Sequence, residues 1–434
     1  MTISVIGAGY VGLVTAALFS ELGNEVHCID VSHERIEMLK KGKVPFYEPQ
    51  LDEYLSRNVK AKRLIFSTSY SQSIPKSQAV FICVGTPPSA SGEADLTYLF
   101  GAVEETAKYL KDYTVVVIKS TFPIGFEDDL EKIVRKHAKV EFEFAACPEF
   151  LKEGTAIADA FNPDRIVIGS TNLRAQKILL ELHATLPGER IICDMRTAQL
   201  IKYASNAFLA TKISYANALA NICEKTGADV EKVLKGIVAD KRIGSAFLRP
   251  GIGYGGSCLP KDVMAFIAQA NSFDYNFDFL RSVDAINSGQ IDKFVAKIRL
   301  AVNANDKEAA NLEGIKIALL GLAFKPNTDD IRDAPAVKII QGLINLGADL
   351  TLYDPKAMTS AKKIFPNQRY APDLYTAVEG KDALVITTEW PEFIEMDLGR
   401  IKKSLKKPII IDGRNIYDPT KLKEMGFKYF SVGR

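Results

Sequence analysis

Apolar positions open the chain as a short run, Ile3-Ser4-Val5-Ile6, then recur at helical spacing from Leu13 to Leu22. They return as a second run, Glu25-Val26-His27-Cys28-Ile29, that ends at Asp30. Gly7-Ala8-Gly9-Tyr10-Val11-Gly12 separates the first run from the helical pattern, and Gly23 stops it, so about thirty residues predict strand, glycine turn, helix, strand. Further runs at 79–84 and 115–118 predict more strands, each ending in small polar residues, Gly85-Thr86-Pro87 and Ser120-Thr121. Residues 197–224 hold no Pro or Gly and keep helical spacing up to the stop at Gly227. A helix of that length reaches about 42 Å and suits a spine between domains or a dimer seam.

The last third repeats the first in outline. Lys316-Ile317-Ala318-Leu319-Leu320-Gly321 is again a strand entering a turn. Leu22-Gly23-Asn24-Glu25-Val26-His27-Cys28-Ile29-Asp30 has an equal-length echo in Leu346-Gly347-Ala348-Asp349-Leu350-Thr351-Leu352-Tyr353-Asp354. The expected fold class is α/β: two Rossmann-like βαβ domains joined by a central helical region with a long spine helix. The expected boundaries are 1–196 for the first domain, 197–300 for the central and dimerisation region, and 301–434 for the second domain. The second turn has Leu322-Ala323-Phe324-Lys325 in place of the glycine triplet, so it is expected to take the substrate's nucleotide rather than a second dinucleotide.

Composition changes this picture by exclusion. The 434 residues carry 55 Lys and Arg against 53 Asp and Glu, with no basic block, which argues against a nucleic-acid or membrane-surface partner. No apolar run approaches the roughly 20 residues of a spanning helix, and the N-terminus lacks the basic flank of a secretory signal. Six scattered cysteines without a CxxC pair, and four histidines, exclude a disulfide scaffold and a Cys/His zinc site and fit a reducing cytoplasm. No metal is expected.

The chemistry concentrates in two places. In the first turn, Gly7 permits the tight bend, Gly9 admits a pyrophosphate to the backbone, and Gly12 lets the helix pack on the strand. The helix N-terminus then offers amides and a positive dipole to the phosphates. Asp30 stands where a carboxylate takes the adenine-ribose hydroxyls and repels a 2′-phosphate, which favours NAD over NADP; Arg35 is placed to touch the ribose edge, and Thr86 and Thr121 to contact cofactor or substrate. The second place is Gly253-Tyr254-Gly255-Gly256-Ser257-Cys258-Leu259-Pro260-Lys261-Asp262. Cys28, Cys83 and Cys223 read as small core residues, whereas Cys258 alone lies in a polar glycine-rich loop at a helix start, where cations and the helix N-terminus favour the thiolate. A nucleophilic thiol beside a nicotinamide implies alcohol oxidised to aldehyde, capture as a thiohemiacetal, oxidation to a thioester and hydrolysis. Lys202 and Asn206, spaced i, i+4, share one helix face and suit a developing oxyanion. Asp262 and the carboxylates of Cys147-Pro148-Glu149-Phe150-Leu151-Lys152-Glu153-Gly154 are candidates for activating water.

These motifs together resemble the nucleotide-sugar 6-dehydrogenases, the UDP-glucose/GDP-mannose dehydrogenase family, over essentially the whole chain. The resemblance rests on Gly7 to Gly12 with Asp30, Val84-Gly85-Thr86-Pro87, Ser120-Thr121 with Pro123 and Gly125, Pro148-Glu149-Phe150-Leu151 with Glu153-Gly154, and Lys202 with Asn206. It extends through Gly255-Gly256-Ser257-Cys258 with Pro260-Lys261-Asp262, Phe324-Lys325, and Asp412-Gly413-Arg414. It implies that Cys258 is the nucleophile, that Lys202 and Asn206 hold the oxyanion at the sugar, that Asp262 works with Lys202 on a water serving as base, and that Glu149 and Thr121 assist thioester hydrolysis. To NAD it assigns the turn with Tyr10 and Val11, and Thr86, Thr121, Glu153, Lys261 and Arg332. To the sugar nucleotide it assigns Glu149, Phe150, Leu151, Lys152 and Glu153, the loop Phe247-Leu248-Arg249-Pro250-Gly251, Gly255, Lys325 and Arg414. Arg242 matches an arginine that in relatives reaches a neighbouring subunit's site, which implies a homodimer through the central helix. The expected reaction is a four-electron oxidation of UDP-glucose to UDP-glucuronate. GDP-mannose or a UDP-N-acetylhexosamine is the alternative substrate, and a two-electron hydroxyacid dehydrogenase or a silent sensor the alternative class. Two positions depart from the family pattern: Cys147, where relatives commonly have Asn or Ser, and Phe126, where they usually have Thr.

Overall fold

The structure, a computed structural model, describes residues 1–89, 92–303 and 311–434. It divides into two compact units, Met1–Ser205 with Met264–Tyr275, and Asn206–Val263 with Asn276–Arg434. The residues expected to form a central region are shared between these two units.

In the first unit, β1 (Thr2–Ile6), α1 (Tyr10–Glu21) and β2 (Glu25–Ile29) follow the expected order. The sheet is completed by β3 (Leu64–Ser67), β4 (Ala79–Ile82), β5 (Thr114–Ile118), β6 (Phe142–Ala146), β7 (Arg165–Gly169) and β8 (Glu189–Cys193), in the order β3-β2-β1-β4-β5-β6-β7-β8. Every pairing is parallel except β6 with β7, which meet through Ala146 and Gly169. Parallel strands are covered on both faces, which is why β4 and β5 are buried at every position and read as unbroken apolar runs. Alternate residues serve opposite faces: Val5, Phe81 and Val117 pack on one side, Ile6, Val80 and Val116 on the other. The strand order reverses between β1 and β4, the position at which such sheets bind ligands beyond the strands' carboxyl ends.

The second unit repeats the design with β9 (Lys316–Leu320), β10 (Asp349–Tyr353), β11 (Arg369–Tyr370), β12 (Ala383–Ile386), β13 (Ile409–Asp412) and β14 (Lys428–Phe430). The order is β11-β10-β9-β12-β13-β14, parallel throughout, so its switch point lies between β9 and β12. The spine is α2, Met195–Thr226, 32 residues, longer than the predicted 197–224 by two residues at each end. It begins in the first unit and ends in the second, as does the chain's return through α3 (Leu259–Ser272) in the opposite sense. Among the described residues no helix is long and apolar enough to cross a membrane.

Candidate active site

The first switch point is built around missing side chains. Gly7 has φ +98°, and a Cβ there would stand 2.8 Å from the Cys83 carbonyl oxygen; one on Gly12 would stand 1.8 Å from the Gly7 oxygen. These two glycines are demanded by the protein itself. Gly9 differs: nothing lies within 4 Å of an added Cβ, so the space over it is open. Asp30 accepts from the Ala8 amide at 2.7 Å and the Ser32 amide at 2.9 Å, and pairs with Arg35 at 2.9 Å. The open backbone at Gly9, ahead of the unpaired amides of α1, and a carboxylate at the end of β2 fit a dinucleotide. The Thr86 hydroxyl donates to the Thr121 carbonyl at 2.7 Å and so locks the ends of β4 and β5 together rather than capping a helix. Tyr10 turns its hydroxyl to the buried carboxylate of Glu48, and Val11 packs against the core.

At the end of β6 the chain places Glu149, 8% exposed, against the ammonium of Lys202, 4% exposed, at 2.8 Å. The Leu151 amide donates to the other Glu149 oxygen at 2.6 Å. Burial pushes this carboxyl up, but the two lysines, Lys202 in contact and Lys119 farther off, together with the Leu151 amide, outweigh it and hold the group below its ordinary value. The guanidinium of Arg165 stacks 3.7 Å over the Phe150 ring, and Lys152 pairs with Asp159 at 3.3 Å, so the segment is braced on both sides. A cavity of about 130 Å³ beside Glu149, lined by Lys119, Lys152, Asp159 and Arg165 among others, has room for several waters. Cys147 is buried, and burial pushes its thiol up to about 12, so it serves as a core side chain. Phe126 packs its ring 6.3 Å from that of Phe100.

In the second unit Cys258 immediately precedes α3, and its carbonyl accepts the Asp262 amide at 2.9 Å. The Ser257 hydroxyl lies 3.6 Å from its sulfur. Asp262, 1% exposed, accepts from the Asn206 amide at 2.6 Å and pairs with Lys261 at 2.5 Å. The glycines before the thiol are forced by a second loop. A Cβ on Gly255 would stand 2.2 Å from the Asp333 oxygen, one on Gly256 2.6 Å from the Phe324 ring, and the Gly256 amide donates to the Arg332 carbonyl at 3.1 Å. Arg332 is gripped in turn by Asp330 at 2.6 Å.

The second switch point gathers the remaining sequence-predicted residues. Arg414, just past β13, donates to the Thr387 carbonyl at 2.9 Å and the Phe324 carbonyl at 3.0 Å. Gly251 lies so close to Gly413 that a Cβ would stand 2.9 Å from its oxygen, and its amide is held by Asn217 at 2.8 Å. Lys325 follows Phe324 with its ammonium 5.2 Å from that ring. Leu248 and Pro250 are buried, Arg249 is exposed, and Phe247 takes φ +64°, a left-handed conformation that costs a bulky residue on the order of 1–3 kcal/mol. Asp354, the echo of Asp30, is wholly buried and accepts five donors: the Leu322, Ala323, Lys356 and Ala357 amides and the Trp390 indole. A carboxylate so filled has no capacity left for a ribose, which is why the second unit is no dinucleotide site. Arg242 is exposed and bonded to its neighbour Asp240 at 2.5 Å. Glu48, Asp330 and Trp390 escaped the sequence reading; each is a single residue in a loop, recognisable only by what it touches.

Fold and sites together define a dehydrogenase with a dinucleotide-binding unit, a nucleotide-binding unit and a cysteine ahead of a helix. The family's NAD binding domain matches residues 1–187, its central domain 196–289 and its UDP binding domain 318–419. The chain belongs to the UDP-glucose/GDP-mannose dehydrogenase family. Its cofactor is NAD and its substrate a nucleotide sugar. It is 45% identical to UDP-glucose 6-dehydrogenase TuaD of Bacillus subtilis, covering 100% of this chain and 93% of that one, and 43% identical to the UDP-glucose 6-dehydrogenase of Rhizobium meliloti, covering both in full. The structure of a UDP-glucose dehydrogenase from Pyrobaculum islandicum superposes with TM-score 0.90 at 35% identity, covering 100% of this chain and 97% of that one.

Two outcomes follow from these contacts. Asp30 is expected to accept the ribose hydroxyls: Asp30→Ala, which also leaves Arg35 without its carboxylate, should weaken NAD binding by about 1.5–3 kcal/mol and narrow the preference over NADP; an unchanged NAD/NADP ratio of kcat/KM refutes the role. Lys202→Met leaves a buried carboxylate uncompensated and destabilises the fold by about 3–5 kcal/mol near pH 8. The native Glu149 carboxyl sits below its unfolded value, so the pair's contribution is complete above the ordinary carboxyl range and is lost as pH falls. Urea midpoints of the two proteins therefore converge on acidification.

Proposed function

We propose that this chain oxidises the C6 alcohol of UDP-glucose to the carboxylate of UDP-glucuronate, with Cys258 as covalent nucleophile. The observation that carries this reading is a thiol set by an interlocked glycine loop immediately ahead of α3, one turn before an aspartate already bonded to Asn206. The full-length identity to two UDP-glucose 6-dehydrogenases supports the substrate. Bound NAD supplies the oxidising power, one molecule taking up two electrons at each of two steps. A base removes the alcohol proton as the aldehyde forms; a water held by Asp262 and Lys202 takes that part. The Cys258 sulfur then bonds to the aldehyde carbon, and its oxygen, bearing negative charge, is met by the Lys202 ammonium and the Asn206 amide. Oxidation of this thiohemiacetal gives a thioester. Water, oriented by Glu149 and Thr121, attacks the thioester carbon, the carbon–sulfur bond breaks, and the thiol returns to the chain. The balance is one alcohol, two NAD and one water to one carboxylate, two NADH and three protons.

A two-electron hydroxyacid dehydrogenase has no use for the thiol, and stoichiometry separates the two readings. Purified protein titrated with UDP-glucose, GDP-mannose and UDP-N-acetylhexosamines should release two NADH per sugar, with UDP-glucose preferred. Cys258→Ser attacks poorly, and its ester hydrolyses slowly. It should retain a sugar adduct on the peptide containing residue 258 while making little product. Near wild-type uronate production by Cys258→Ala, still with two NADH per sugar, sinks the covalent route.

The homodimer belongs to the same proposal. Along the part of α2 in the second unit, Phe208, Tyr215 and Ile222 recur every seven residues and are 64%, 53% and 56% exposed, a stripe suited to a second copy. Arg242, exposed and paired with Asp240, is placed where it can reach a neighbour's site. Cytoplasmic residence suits a thiol nucleophile that must stay reduced. Phe208→Glu should halve the mass in light scattering, down to the 47.8 kDa of one chain; an unchanged dimer places the seam elsewhere.

A further inference from the structure

We propose that Glu48 is a positioning residue that ties the cofactor turn to the segment carrying Glu149 and Glu153, so that NAD docking tightens the grip on the sugar nucleotide. The inference rests on the substrate role given above to residues 149–153. Glu48 is 5% exposed and lies in the loop ahead of the helix Leu51–Lys60. One of its oxygens accepts the Ala156 amide at 2.7 Å; the other accepts the Gly154 amide at 2.6 Å together with the Tyr10 hydroxyl. The Gly154 amide also reaches the Tyr10 oxygen at 3.1 Å, closing a triangle of phenol, carboxylate and backbone. The two ends of this triangle are the relevant ones. Tyr10 is the first residue of α1, directly after the open Gly9, and Gly154 directly follows Glu153.

The chemistry permits one arrangement. Two amides and a phenol all donate, so the group between them must accept on both oxygens, which a carboxylate does and an amide side chain cannot. Burial, then the Glu48 carboxylate, pushes the Tyr10 phenol far above its ordinary range, so it stays protonated and remains a donor. Phe46, two residues before Glu48, packs its ring 5.0 Å from that of Tyr10, so the loop and the phenol move together. Gly154 holds φ +84°, a conformation that fixes where the chain turns after Glu153. A pyrophosphate seated on the turn orders Tyr10, and through Glu48 the same ordering reaches the Gly154 and Ala156 amides. Coupling of this kind is reciprocal: the sugar nucleotide tightens NAD by the same factor.

The test reads a ratio, because a merely structural loss lowers all affinities alike and leaves a ratio unchanged. UDP-glucose is titrated calorimetrically into the full chain with and without saturating NADH. The wild-type affinity should rise about tenfold with NADH. Tyr10→Phe, which removes one donor and keeps the ring, should bring that ratio close to one, and Glu48→Gln should do the same if it folds. A wild-type ratio of one, or a Tyr10→Phe ratio equal to wild type, overturns the proposal. If UDP-glucose fails to bind the wild-type protein, the substrate reading falls, and the brace is judged by amide hydrogen exchange with NADH alone. NADH should slow exchange at Gly154 and Ala156 in wild type and not in Tyr10→Phe; equal slowing in both overturns the brace.

Discussion

Both sheets depend on one contact, a carboxylate at the end of the second strand accepting backbone amides of the turn after the first. Parallel strands leave those amides unpaired at the carboxyl edge, and a buried amide without a partner costs on the order of 1–3 kcal/mol. Asp30 takes the Ala8 amide in the first unit, and Asp354 takes those of Leu322 and Ala323 in the second. Each carboxylate thereby fixes the turn that follows its unit's first strand. The two units then diverge through a few side chains. Asp30 pairs with the partly exposed Arg35 guanidinium, whereas Asp354 is sealed by the Trp390 indole. The same local chemistry leaves one carboxylate beside a side-chain cation and seals the other in.

The buried polar groups at the end of β6 and the start of α3 are held by pairing rather than by rigid burial alone. Lys202 and Glu149 hold each other's charge out of water, and one helical turn farther along α2 the buried Asp262 at the start of α3 is met by the Asn206 amide and the partly exposed Lys261 ammonium. Removing either member of a buried pair costs more than the pair contributes, because the survivor stays desolvated. Such sites are sensitive to single substitutions at either partner. The thiol is supported differently, by backbone against backbone: Gly255 and Gly256 lie where the Asp333 carbonyl and the Phe324 ring leave no room for a side chain. One loop thus carries Cys258 while a loop of the second switch point sets its position.

Strand–turn–helix order, the glycine-dependent first turn, the long helix and the glycine-rich loop ahead of α3 were legible because each follows from local rules. Period-two burial, helical spacing and the absence of Pro and Gly act within a few residues of themselves. The expected strand at 79–84 closes at Ile82, since the residues after it are drawn into the turn against Gly7. Thr86 was legible as a residue at a strand end but not as the bond to Thr121, which depends on β4 and β5 lying side by side.

By itself the sequence determined the doubled α/β plan, the first glycine turn with Asp30 at the end of the next strand, and the loop before α3 that bears Cys258. Periodicity, turn stereochemistry and glycine's lack of a Cβ are properties of short stretches of chain. Only the tertiary structure decided that Lys202 meets Glu149 across 53 positions of sequence and Asn206 meets Asp262 across 56. Only there does Glu48 meet Gly154 across 106, and Asp354 fill all its acceptor sites. Those choices are made by packing, because a buried carboxylate takes whichever donors the fold brings to it, and spacing along the chain carries no record of them.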